Sequence, residues 1–158
     1  MSQRYTIKNR MVGSGHHALD VFDEKGHLRY TSQIQLKAGL DHMTFCDADG
    51  YEIAHYKARA FEQHGMFIVT MASGVRFTVS FSGTHHTPHV SVRDYEWDLD
   101  RSPVHGMYHI VNSRGEKIAT VVKGESAVSS YVATIADARH TEELMVLIVI
   151  VRFLLEHR

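Results

Sequence analysis

Close to its C-terminus the chain runs from Leu144 to Leu155 with eleven apolar side chains and one interruption, Arg152. This run constrains the fold more than any other feature, because every side of it has to be kept from water. Thr141 stands where an N-cap is expected, and Glu142 and Glu143 place negative charge at the positive end of a helix dipole. Val146, Ile148, Val149, Ile150 and Val151 are β-branched and would suit a strand, but the run exceeds the usual strand length. The pattern predicts a helix over about 141–156. At ~1.5 Å per residue it reaches ~20–25 Å, short of the ~30 Å hydrocarbon thickness of a bilayer, and Arg152 makes spanning worse. The expectation is a core helix, not a transmembrane one, with Leu144, Leu147, Ile148, Val151 and Leu155 among its buried positions. Each large apolar side chain buried contributes roughly 1.5–3 kcal/mol gross, so the helix would be a dominant stabilising element.

What precedes it reads as strands. V-F-D-E-K-G-H-L-R-Y, F-C-D-A-D-G-Y-E-I-A-H-Y and I-V-N-S-R-G-E-K-I-A-T-V each set Asp or Asn, two residues and then Gly between apolar segments. Asp and Asn start turns through local side-chain hydrogen bonds, and Gly can take positive φ, so these are β-hairpins. Val75, Phe77, Val79 and Phe81 alternate with polar residues, as do Leu28, Tyr30, Ile34 and Leu36, which gives one buried and one wet face. About a dozen short strands fit between about residues 4 and 135, and no βαβ alternation appears. The fold class is mainly β with one helix: an antiparallel barrel wrapped around its own C-terminal helix, which covers the helix and removes the sheet edges. With 158 residues, 44% of them hydrophobic, two prolines and no linker composition, 1–158 reads as a single domain.

The one cysteine, Cys46, makes no internal disulfide, and the N-terminal M-S-Q-R-Y-T-I-K-N-R lacks the apolar segment of a secretory signal, so a cytoplasmic location is expected. A formal charge of -1 argues against a nucleic-acid partner, whose affinity comes chiefly from neutralised phosphates. Thirteen histidines make the charge sensitive to mild acid.

The chain resembles the LURP-one-related family of the Tubby C-terminal-like superfamily. The resemblance rests on the first strand R-Y-T-I-K-N-R, the D-E-K-G and D-A-D-G hairpins, Y-H-I-V-N-S-R-G-E-K-I-A-T-V, and S-Y-V-A-T-I leading into the terminal helix. It implies a twelve-stranded barrel around a hydrophobic helix. Tubby domains hold phosphoinositide headgroups with a lysine and an arginine two residues apart on a strand, and the related phospholipid scramblases act at membranes. Arg152 departs from the neutral or acidic residue that the family leads one to expect near the helix end.

Two K-x-R pairs occur, Lys8 with Arg10 and Lys57 with Arg59. On a strand each pair projects from one face, where Arg offers a bidentate fork and Lys a point charge to a phosphate; the plainer reading is a solvated barrel face. T-H-H-T-P-H supplies His85, His86 and His89 as metal-ligand candidates, but Pro88 marks an irregular loop and no carboxylate partner is fixed nearby. D-A-D-G at Asp47 to Gly50 lacks the remaining ligands of a calcium loop and reads as a turn. Tyr95, Trp97 and Tyr108 read as sheet packing. No nucleophile motif, P-loop or dinucleotide fingerprint is present, so neither enzyme activity nor a cofactor is expected. The expected function is peripheral binding of anionic phospholipid or phosphoinositide headgroups. The alternatives are a protein-interaction module and, behind it, a histidine-loop metal protein or a hydrolase.

Overall fold

The computed structural model describes residues 2–10, 16–37, 40–59, 65–83, 88–100, 106–124 and 130–157. Within these elements the side chains at 16–17, 36–37, 40–41, 58–59, 83, 88 and 155–157 fall outside the description. Twelve strands form a closed antiparallel barrel. In chain order they are β1 (Gln3–Arg10), β2 (His16–Phe22), β3 (Leu28–Lys37), β4 (Leu40–Asp47), β5 (Glu52–Arg59) and β6 (Gly65–Met71). There follow β7 (Arg76–Gly83), β8 (Pro88–Val92), β9 (Trp97–Leu99), β10 (Met107–Val111), β11 (Lys117–Lys123) and β12 (Ser130–Ile135), and then helix α1 (Thr141–His157). Each strand pairs with its sequence neighbours, and β1 closes the ring on β12 from Gln3↔Ile135 to Lys8↔Ser130.

The helix and the barrel require each other. Twelve strands spaced ~4.8 Å apart and tilted ~40° close at a backbone radius of roughly 12 Å, too wide for inward side chains alone to fill. A helix on the axis then sits near the ~10 Å separation at which packed elements meet. Closure also explains why a β-branched run is helical: no strand edge remains for it to pair with, so its backbone groups must bond internally. Leu144, Leu147, Ile148 and Val151 are buried as expected, and burial extends without a break from Leu144 to Leu154. The Leu155 side chain lies outside the described residues. Inward-facing Ile7, Phe45, Phe67 and Phe77 complete a single core with α1.

Arg152 is accommodated by stacking, with its guanidinium carbon 4.0 Å from the centre of the Tyr131 ring on β12. A cation over an aromatic face recovers part of the solvation lost on burial. Tyr108 shares this end of the core, and burial pushes its phenol well above the usual range.

The three Asx turns form as the sequence implies. In each, the Asx side chain accepts two backbone N–H groups: Asp23 from Lys25 and His27, Asp47 from Asp49 and Tyr51, and Asn112 from Arg114 and Glu116. Gly26, Gly50 and Gly115 take positive φ. A fourth turn shares this backbone pattern, with Met71 bonded to Val75 and Gly74, and Gly74 at φ +91.

Three sequence expectations are corrected. Val75 belongs to this fourth turn and is 45% exposed, so it does not join the buried row of Phe77, Val79 and Phe81. Leu28, at the first position of β3, is exposed because it lies at the barrel's end. Thr141 is already helical (φ -53, ψ -47) and does not cap α1; a 3-10 turn over Ala138–His140 precedes it, with Asp137 accepting from the Arg139 N–H.

Candidate functional site

The two K-x-R pairs have different surroundings. Lys8 and Arg10 leave the outer face of β1, where the register sets Lys8 opposite Asp20 and the same carboxylate lies 3.4 Å from Arg10 Nε. The Lys8 ammonium also sits 5.5 Å from the centre of the Phe22 ring. Arg10 is thus paired with Asp20, and Lys8 lies over an aromatic ring. Lys57 leaves the outer face of β5, exposed and opposite His42 on β4; Arg59 follows on the same strand, its side chain outside the described residues. Three strands, β2 to β4, separate the pairs, a third of the way round the ring. At ~4.8 Å per strand that is roughly 19 Å of curved wall, so the four residues do not form one site.

Beside Lys57 the structure places two residues that the sequence does not single out. On β6, Phe67 and Val69 point into the core while Met66 and Ile68 point outward, 69% and 49% exposed. Lys57 on β5 and Ile68 on β6 each stand two residues past the last pair of that ladder, His55↔Thr70, on neighbouring strands. On the other side β7 offers Thr78 opposite Ile68 and Ser80 opposite Met66, both uncharged. The β5–β6 register extends over two pairs, Ala54↔Met71 and His55↔Thr70, against seven between β4 and β5. An apolar patch with a cation beside it therefore lies where the ladder is short.

The other candidates resolve into structure. His85 and His86 lie outside the described residues. His89 on β8 faces Asp98 at 3.5 Å, and among the described residues no group of three ligand-type side chains could hold a metal ion. The Asp47 carboxylate is occupied in holding its hairpin turn. Burial, with Glu52 and Asp47 beside it, pushes the Cys46 thiol up, the opposite of what a nucleophile requires. Trp97 and Tyr108 are buried, and Tyr95 stacks on Trp97 at 4.4 Å. His140 meets both of these rings edge-on while its Nδ1 lies 3.0 Å from Asp137 Oδ2, so the cluster braces the barrel around the start of α1.

No helix among the described residues is long and apolar enough to cross a membrane. The barrel wall has the reverse polarity of a membrane-spanning one: the interior is apolar, and Thr31, Gln33 and Thr44 occupy the outer face of β3 and β4. No protein-family model, curated protein or solved structure matches this chain.

Proposed function

We propose that the protein binds anionic phospholipid surfaces peripherally, without enzymatic chemistry, through the outer face of β5 and β6. The observation that carries this reading is the exposure of Met66 and Ile68 beside Lys57. Two large apolar side chains side by side on the outer wall are costly to leave in water, and a neighbouring cation matches them to an interface that is apolar below and anionic above. The resemblance to a family related to phospholipid scramblases points the same way. Of the two K-x-R pairs, this reading assigns the headgroup role to Lys57 and Arg59.

The test is co-sedimentation with neutral and anionic vesicles at two salt concentrations. Selective binding to the anionic vesicles, weakened by salt, is the expected result. Indifference to both vesicles would overturn the lipid reading and leave the patch as a surface for a protein partner.

A further inference from the structure

A second feature lies at the barrel end where β1 begins and the β2–β3 turn projects. Pairing of Thr6 with Phe22 and of Phe22 with Leu28 brings residues 2–5 alongside residues 23–29. Between them opens a cleft of about 410 Å³, with Tyr5 in its lining and Arg4, Lys25, His27 and Arg29 around it together with Asp23 and Glu24. That size falls within the range of small-molecule sites, roughly 300–1,000 Å³.

The carboxylates are engaged by backbone. Asp23 Oδ1 accepts the N–H groups of Lys25 at 2.9 Å and His27 at 3.0 Å, and Glu24 Oε1 accepts the N–H of Arg4 at 3.2 Å. The side-chain cations differ in commitment. Arg29 pairs with Asp23, its Nη1 3.9 Å from Oδ2, and its side chain bonds the Tyr30 phenol, whereas neither the Arg4 guanidinium nor the Lys25 ammonium has an ion-pair partner among the described residues. Among the lining residues three cations face two carboxylates with His27 neutral, while Glu142 at the start of α1 adds negative charge close enough to act on Tyr5.

The sister turns serve as an internal control. The Asp47 turn holds its backbone with the same bonds but carries Ala48, Asp49 and Tyr51, none of them basic. In the Asn112 turn the one arginine, Arg114, lies 3.7 Å from Glu116. The cations at the Asp23 turn are therefore not part of what this turn type needs in order to form.

We infer that this cleft binds a small phosphate-bearing ligand, with Arg4 and Arg29 presenting guanidinium forks to the phosphoryl oxygens and Lys25 adding a point charge. Guanidinium matches phosphate geometry through paired N–H groups. The site is separate from the β5–β6 face, and the same phosphoryl chemistry is found on a soluble phosphate ester and on a lipid headgroup.

The test is titration of the full chain with inorganic phosphate, followed by calorimetry and backbone amide shifts, with ionic strength held constant by sodium chloride. Saturable binding with shifts centred on residues 2–5 and 23–29 is expected. R4Q and R29Q should each weaken it roughly tenfold, as loss of a charge-assisted hydrogen bond does, and R114Q should leave it unchanged. Both substituted residues are solvent-exposed, and unchanged melting temperatures would verify that the variants fold; K25Q is the replacement if one does not. A phosphate response no greater than that to chloride, or one equal in R4Q and R29Q, would overturn the inference. With binding established, vesicles carrying a phosphomonoester headgroup separate the sources. In M66S/I68S, which removes the β5–β6 contribution, vesicle binding that free phosphate releases identifies the headgroup, absence of vesicle binding identifies a soluble ester, and both uphold the site. An M66S/I68S variant should keep its phosphate affinity, so failure of the β5–β6 reading and failure of this one are distinguishable.

Discussion

Helix α1 and the outer face of β6 are both apolar, yet every residue from Leu144 to Leu154 is buried while Met66 and Ile68 stand in solvent. The helix is covered because a ring of twelve strands leaves a cavity of its width and no free edge. The β6 pair is uncovered because Phe67 and Val69 already fill the inward positions, and a strand must send its alternate residues outward. Had Met66 and Ile68 been polar, the core would be the same. Their hydrophobicity is therefore unconnected with folding, whereas that of α1 is the main reason the chain folds.

Substitution on each surface separates stability from binding. Leu147→Ala in α1 is expected to cost about 2–5 kcal/mol, a large part of the ~5–15 kcal/mol that holds a domain together, and a denaturant titration would show it as an earlier midpoint. A loss below about 1 kcal/mol would mean that the helix is not packed as described. M66S/I68S should shift stability by no more than about 0.5 kcal/mol. On anionic vesicles the same variant should lose roughly 2 kcal/mol of binding, about thirtyfold, since two partly inserted apolar side chains are gone. Undiminished sedimentation would remove β6 from the lipid account.

The covered surface is legible in the sequence and the uncovered one is not. An apolar run near the length limit for a strand, with acids at its start, implies a buried helix, and Asx-x-x-Gly marks three hairpins because the Asx side chain itself bonds the turn. The fourth turn has Met71 at that position, which points into the core and supplies no such acceptor, so Val75 reads as strand when it is not. In G-M-F-I-V-T-M the residues on both faces are apolar, so alternation cannot show that Met66 and Ile68 face out. The phosphate cleft is hidden for another reason: Arg4 and Arg29 are neighbours only after β1, β2 and β3 have paired.

Charge should matter less than apolar contact at the β5–β6 face. A lysine near an anionic bilayer contributes about 1 kcal/mol, so K57Q is expected to weaken vesicle binding roughly fivefold at low salt and less at high salt. An effect larger than that of M66S/I68S would recast the surface as an electrostatic site with incidental apolar neighbours.

Asp137 provides a pH test of how the covered surface is kept covered. Burial alone would raise its pKa, but the His140 side-chain bond and charge, together with the Arg139 N–H and charge, outweigh it and hold the carboxyl below its usual range. A carboxyl lowered in the folded state stabilises it above the unfolded pKa of ~3.9, and that contribution disappears as pH falls through the folded value. Asp137→Asn should therefore cost roughly 0.2–1 kcal/mol at neutral pH, the scale of a largely screened ion pair, and nothing extra once the wild-type carboxyl is protonated. Melting curves from pH 7 to pH 2 would show the two proteins converging in acid, and parallel curves would mean that the pair does not brace the barrel end.

The smallest effect belongs to the other K-x-R pair. Arg10 lies against Asp20 and Lys8 stands opposite it in the β1–β2 register, and the exposed apolar side chains Met66 and Ile68 lie on the β6 wall beyond β5. Removing both charges with K8Q/R10Q leaves Asp20 unneutralised, so the face becomes slightly more anionic. Vesicle binding through β5 and β6 should change by less than about twofold, because the separation of roughly 19 Å exceeds the ~8 Å Debye length at physiological salt. A loss matching that of K57Q would show that the bilayer meets the β1–β2 face as well. That result would contradict a docking surface defined by where apolar side chains are left uncovered.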